Sequence, residues 1–257
     1  MPFVTIDGKD AKDFDDAVFC DENKSGYILY VAIADVADVV KEETEIDKEA
    51  FKRGTSIYFP KKVIPMLPEK ISNDMCSLVP NQKRNVLVCK IYFDTEATIN
   101  TFEFIEGQIK SSQRFTYEEV ERFESIDSKV SNSISSLRLL TKKLLLKRSK
   151  RHALEIESSE PYIAVNDEGE LQKISFPKRL FAHQMIEESM TAANVCAAKF
   201  MKQNFGYGIY RVHEEPEFLK LENLKKFFQL KGFSGSLSSN ALDLLNSFSK
   251  HASKNNE

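Results

Sequence analysis

In its first half the chain arranges apolar residues in short runs separated by acidic or glycine-containing turns; in its second half they form longer helical stripes. Val4-Thr5-Ile6 and Ala17-Val18-Phe19-Cys20 are β-prone runs. They predict strands before and after an acidic loop, the second over 14–20. A strand over 27–34 follows the turn at 21–26, and others are expected over 86–93 and 100–109, with a short helix over 46–52. Thr116-Tyr117-Glu118-Glu119 has the form of a capping box and starts a helix. Residues 125–136 are polar and read as a loop. From 137 to 150, Leu139, Leu140, Leu144 and Leu145 repeat on one side with basic residues opposite, an amphipathic helix. A hairpin over 162–165 and 170–175 turns at Asn166-Asp167-Glu168-Gly169. The longest helix is expected over 180–203, then a strand over 209–213 and a helix over 216–231 closed by Gly232.

This alternation defines a mixed α/β (α+β) chain. No internal repeat or linker divides it, so a single domain over 1–257 is expected, with a polar tail from about 249. A hydrophobic content of 42% argues against disorder. No apolar run approaches the ~20 residues of a membrane span, and no secretory signal opens the chain. Cys20, Cys76, Cys89 and Cys196 lack Cys-x-x-Cys spacing and read as scattered reduced thiols of a cytoplasmic protein. The net charge of −3 does not advertise a nucleic-acid binder. It weighs little, because a channel can be locally basic on an acidic protein.

The chemistry concentrates in Thr5-Ile6-Asp7-Gly8-Lys9-Asp10-Ala11-Lys12-Asp13-Phe14-Asp15-Asp16. Like charges packed so closely repel by about 4 kcal/mol per pair at ~4 Å and an effective dielectric of ~20. A cation relieves that cost, and carboxylate oxygens without thiolate or imidazole partners suit Mg²⁺ or Mn²⁺. One chemistry of such a site is phosphodiester hydrolysis. A solvated loop or a helix cap is the plainer reading, but the apolar runs on both sides place the acids between strands, where rigid elements carry functional loops. The spacing does not fit an EF-hand. Asp13-Phe14-Asp15 has the form of a phosphotransferase Asp-x-Asp site, although no apolar strand leads into Asp13.

From Thr5 to Ala17 the string closely resembles the opening motif of the RNB catalytic domain of the ribonuclease II and ribonuclease R family. Five further stretches resemble that family in order: Val31-Ala32-Ile33-Ala34-Asp35-Val36; Arg53-Gly54-Thr55-Ser56-Ile57-Tyr58-Phe59-Pro60; Ile64-Pro65-Met66-Leu67-Pro68-Glu69 with Ile71-Ser72-Asn73 and Met75-Cys76-Ser77-Leu78; His183-Gln184-Met185-Ile186-Glu187-Glu188-Ser189-Met190; and Tyr210-Arg211-Val212-His213-Glu214-Glu215-Pro216. The resemblance implies a mixed β-sheet flanked by helices, incomplete at its C-terminal side. It implies a 3′-to-5′ exoribonuclease that hydrolyses single-stranded RNA to 5′-nucleoside monophosphates and is monomeric when intact. Asp7, Asp13, Asp15 and Asp16 fall on the family's four acidic positions, which hold Mg²⁺ and orient the attacking water; Asp10 reads as loop surface. Tyr58 matches a tyrosine that stacks on a base at the 3′ end, and Glu187 a glutamate near the 3′ nucleotide. Packing of Tyr58 in the core is the competing role. Glu188 beside Glu187 reads as a solvated helix carboxylate. Arg211 and His213 are candidates for phosphate or ribose contact, a salt bridge or core packing being the alternative.

The chain departs from the family pattern in two places. Where the family usually has a phenylalanine opposite the tyrosine, this chain has Ile156. An aliphatic side chain packs on a base but offers no π-face. The family's Ser-Pro-Ile-Arg motif, whose arginine contacts the scissile phosphate, does not occur in the sequence, nor do the flanking cold-shock and S1 domains. The expectation is therefore a piece of a longer exoribonuclease, nearly inactive by itself. A non-catalytic RNA-binding module or pseudoenzyme is the alternative, and an Asp-dependent phosphatase a third.

Overall fold

The computed structural model describes residues 1–60, 62–122, 128–151, 153, 161–166, 168–212, 214, 216–233 and 241–254. Strands β1 (Val4–Asp7), β2 (Asp16–Asn23) and β3 (Gly26–Ala34) lead into helices α1 (Val36–Val39) and α2 (Glu45–Arg53). A hairpin of β4 (Ile57–Phe59) and β5 (Lys62–Ile64) and a π-helical turn, Lys70–Met75, precede β6 (Lys83–Phe93), β7 (Ile99–Lys110) and β8 (Gln113–Thr116). Then come α3 (Tyr117–Glu121), α4 (Lys129–Lys150), the hairpin β9 (Tyr162–Val165) and β10 (Leu171–Ser175), α5 (Phe181–Phe205), α6 (Phe218–Leu230) and α7 (Ala241–Lys254).

The chain divides into two compact units, residues 1–143 with 159–206, and residues 144–158 with 207–257. The first is built on a six-stranded sheet in the order β7-β6-β3-β2-β1-β8. Neighbours pair antiparallel except β1 and β8, which run parallel with Thr5 beside Arg114 and Asp7 beside Thr116. The central strands are apolar almost throughout because both faces are covered. On one face Ala17, Ala32, Ala34, Val86 and Val88 pack with Phe3, Phe14, Ile71 and Leu78. On the other, α5 lies against β3 and β6, and the thiols of Cys89 and Cys196 meet in a hydrogen bond. All four cysteines are free and buried. In the second unit, Phe228, Phe233 and Leu244 make a small core with Leu221, Leu224, Leu245 and Phe248. Among the described residues no helix is long and apolar enough to cross a membrane.

Three stretches differ from the sequence expectations. Helix α4 begins at Lys129, inside the presumed loop. Its serines are polar by composition but small, and Ser131, Ser133 and Ser136 are buried. Ser133 Oγ accepts the Cys20 N–H at 2.9 Å, so hydroxyls meet the sheet's own donors where larger polar side chains would not fit. The strand expected over 209–213 is not formed among its described residues: Ile209 and Val212 stand exposed, with no neighbouring ladder to pair with. The polar tail from about 249 continues α7 as far as Lys254.

The β2–β3 turn is a fixed point of the sheet. Gly26 has φ +135°, and a Cβ there would lie 2.2 Å from the Phe93 carbonyl oxygen on β6. That backbone region costs other residues ~1–3 kcal/mol before any clash. Gly26→Ala is expected to destabilise the protein by at least that amount, read as a lowered urea midpoint with unchanged m-value. An unaltered midpoint would show that the turn yields freely.

Candidate active site

β1 ends on Asp7, β2 starts on Asp16, and the loop between them carries Asp13 and Asp15. Its shape is imposed from several directions. At its start, the Arg114 guanidinium donates to the carbonyls of Gly8 (2.6 Å) and Lys9 (3.0 Å). At its end, Ser77 Oγ donates to the Lys12 carbonyl (2.9 Å) and accepts the Phe14 N–H (3.0 Å). The Leu78 N–H bonds to the Phe14 carbonyl and the Ala34 N–H to the Asp15 carbonyl, each at 2.9 Å. Phe14 is buried in the core cluster, with the Arg114 guanidinium 5.5 Å from its ring centre. Its neighbours Asp13 and Asp15 both line an adjoining cavity of about 770 Å³. The Asp-Phe-Asp spacing thus has a local cause: one apolar anchor inward, two acids at the cavity.

The acids are electrostatically one group. Burial pushes the Asp7 carboxyl up to about 6, with Arg114 opposing and Asp13 and Asp15 adding to the rise. Asp16 is pushed up to about 7, by burial first and then by Asp7 and Asp15. Asp15 is raised by the loss of water around it and by Asp13. Among the described residues, the buried side-chain polar atoms without a hydrogen-bond partner are Thr5 Oγ1, Asp7 Oδ2, Asp16 Oδ2 and Arg114 Nε. Such atoms are rare in folded proteins because each costs ~1–3 kcal/mol. Three belong to the strands that flank the acid loop, and the fourth to β8, which pairs with β1. Two are carboxylate oxygens suited to a hard divalent cation. No three His, Cys, Asp or Glu side chains among the described residues form a ready cage for an ion. Mg²⁺ does not need one; it usually keeps several waters and takes one or two carboxylates plus substrate phosphates. Asp7 and Asp16 therefore fit such an ion.

The cavity joins the acids to an aromatic ring. Tyr58 on β4 lines it with Asp13 and Asp15, and is 68% exposed, so core packing is not its role. Asn73, from the π-helical turn, and Cys76 line the same cavity, as does the exposed Asp10. Asp7 and Asp16 are not part of its wall. Glu187 is exposed on α5 and held by the Arg179 guanidinium. Glu188, expected to be solvated, is instead 5% exposed: α5 turns that side of the helix inward together with Met185 and Ser189. Arg211 belongs to the second unit and is exposed. His213 and Ile156 lie outside the described residues.

Two residues at the site were not singled out from the sequence. Arg114 is one. Tyr117, the first residue of α3, is the other: its hydroxyl is pushed up to about 12, by burial first and then by Asp7, Asp16 and Glu187. Its ring stacks on His183 at 3.9 Å, and the His183 Nδ1 accepts the Leu180 N–H at 3.1 Å. Tyr117 thus stands between the acid pair and the start of α5. The capping box Thr116–Glu119, present as expected, fixes where this helix begins.

This arrangement is that of a known family: the RNB domain family model matches residues 1–257, and the chain belongs to that family. Ribonuclease R of Vibrio parahaemolyticus is 37% identical over 90% of this chain and 29% of its own length. Among solved structures, Mycoplasma genitalium RNase R in complex with ribose-methylated single-stranded RNA matches with a TM-score of 0.92 at 34% identity, over 99% of this chain and 41% of that one. The same enzyme in complex with double-stranded RNA gives 0.88 at 33% identity, over 99% of this chain and 47% of that one. The chain spans less than a third of the length of the ribonuclease R relatives of Vibrio parahaemolyticus and Escherichia coli that it matches.

The raised carboxyls set a pH dependence. Asp7 and Asp16 hold their protons more tightly when folded than at the ordinary value of 3.8. That contribution to stability is complete below 3.8 and is lost as pH rises through about 6 and about 7. The melting temperature of the metal-free protein is expected to fall across this interval. Mg²⁺ should restore it at the upper end, and Asp16→Asn should flatten the fall. Calorimetric melts in chelated buffer check this; a melting temperature that climbs through the interval would contradict it.

Proposed function

We propose that this chain is the catalytic portion of a 3′-to-5′ exoribonuclease. It acts on single-stranded RNA and releases 5′-nucleoside monophosphates, and the acid site takes Mg²⁺ or Mn²⁺. The observation that carries the reading is the pair of buried, unpartnered carboxylate oxygens on Asp7 and Asp16, electrostatically linked to Asp13 and Asp15 at a cavity that also holds Tyr58. The match to ribonuclease R relatives and to RNase R structures containing RNA supports it. The electrostatic link of Asp7 and Asp16 to Asp15 does not favour a non-catalytic module. Four free buried thiols suit a reducing, cytoplasmic setting.

A divalent cation in this site would lower the pKa of a bound water and balance charge on the phosphate. The chain's own residues do the rest. The clamped loop holds Asp13 and Asp15 at the cavity wall, where a carboxylate orients the attacking water. Water attacks the last phosphorus, the P–O3′ bond breaks, and the freed 3′-hydroxyl becomes the next end of the RNA. Tyr58 supplies a flat face for a base near that end. Stacking serves any base, as repeated cleavage along a chain of mixed sequence requires. Glu187 is a candidate contact to the terminal nucleotide, and Ile156, Arg211 and His213 are candidate contacts to base, phosphate or ribose.

Asp15→Asn in the intact protein is expected to lower hydrolysis by about 10²-fold or more, the size of a lost electrostatic contribution at a reacting phosphate. RNA affinity should be largely kept, since shape is preserved. Nucleotide release and RNA binding, measured side by side on a labelled oligomer, decide this; turnover at the normal rate would remove Asp15 from the mechanism.

Tyr58→Ala should lengthen the limit product, through loss of ~1–3 kcal/mol of stacking that holds the 3′ end near the acids. A product ladder identical to that of the unsubstituted protein would leave Tyr58 without a role in holding substrate.

A further inference from the structure

We propose that Arg114 is a positioning residue that holds the acid loop in its working shape by clamping the Gly8 and Lys9 carbonyls. This rests on the acid-site reading above and adds a residue that acts through the loop rather than on the substrate.

The parallel β1–β8 pairing sets Arg114 beside Thr5. Neighbours in register across such a pair put their side chains on the same face, and Asp7 shares that face two residues on. The guanidinium therefore lies over the end of β1, where the chain turns from strand into acid loop. Its donors go to main-chain carbonyls 105 and 106 residues away in sequence. Both bonds come from one guanidinium nitrogen, Nη2, whose two N–H groups reach the two carbonyls from one side while the rigid plane of the group fixes their direction. The ring of Phe14 packs beneath the same guanidinium, so one side chain braces both the start of the loop and its buried anchor. Ser77 holds the far end through Lys12 and Phe14. With Arg114 removed, the segment from Gly8 to Ala11 keeps, among the described residues, the 3.2 Å main-chain bond from the Ala11 N–H to the Gly8 carbonyl.

A positioning role and a mere charge nearby predict opposite signs. If Arg114 only repels cations, its loss should tighten binding of a divalent ion. If it shapes the loop, its loss should weaken that binding although a positive charge has gone. The test compares Arg114→Gln and Arg114→Lys with the unsubstituted chain. Mn²⁺ affinity is read by electron paramagnetic resonance without RNA, and amide exchange is read over residues 8–15. The expected result for Arg114→Gln is about tenfold or greater loss of protection in the loop, the scale of lost charged hydrogen bonds, together with weaker Mn²⁺ binding. Arg114→Lys, a single point donor, should recover part of both. Loop exchange unchanged in Arg114→Gln, or tighter Mn²⁺ binding in it, would overturn the proposal. If Arg114→Gln fails to fold, Arg114→Lys alone carries the comparison: protection equal to that of the unsubstituted chain overturns the clamp, and partial loss supports it. If the unsubstituted chain binds no Mn²⁺, the cation reading fails, while the exchange measurement still reports on the clamp.

Discussion

Carboxylates fixed on one short loop and its flanking strands, and partly stripped of water, are the constraint around which the first unit is arranged. At a dielectric of ~20 each close pair costs about 4 kcal/mol, and a free loop would spread them apart. This loop cannot spread. Its carbonyls and amides are tied to Arg114, Ser77, Leu78 and Ala34, and its one large apolar residue, Phe14, is sunk in the core. Burial first, and the neighbouring acids second, leave Asp7, Asp15 and Asp16 holding their protons above the ordinary carboxylate range. A group poised to exchange protons for a cation is a natural product of that compromise.

The supports of the loop are themselves supported. Ser77 follows the π-helical turn, and the Arg84 guanidinium on β6 donates to the carbonyls of Ser77 (3.0 Å) and Asp74 (2.9 Å). The turn that carries Asn73 and Cys76 to the cavity and the residue that grips the acid loop are thus fastened to the same strand. At the other end, the Glu121 carboxylate accepts the Ala182 N–H at 2.9 Å, joining α3 to the first turn of α5. Tyr117 and Glu187 owe their places near the acids to that junction. The rigid sheet therefore fixes the cavity wall from one side and the helix bearing Glu187 from the other.

The sequence made the acid loop, the central strands and the long helices readable, because local patterning sets each of them. Charge density marked the acid loop, the resemblance to the RNB family separated Asp7, Asp13, Asp15 and Asp16 from Asp10, and the capping box at Thr116 gave the start of α3. What escaped depends on partners distant in sequence. β8 is only four residues long, and nothing local shows that it lies parallel to β1. Without that pairing, Arg114 and Tyr117 read as ordinary residues ahead of a helix. The serines of α4 misled for a related reason: composition marks them as loop, whereas close packing against β2 makes small hydroxyls suitable. Glu188 shows the limit of reading neighbours alike, since one step along a helix turns a side chain from water to core.

The parallel pairing of β1 with β8 also has a temporal meaning. The acids are adjacent in sequence, yet the residue that braces them lies 106 positions further on. Closing so long a loop carries an entropic cost that nothing local repays early. During synthesis, β1 and its acids emerge ahead of β8 and wait, solvated and mutually repelling, until β8 has left the ribosome and found its edge of the sheet. The acids are thus made well before the strand that completes their site.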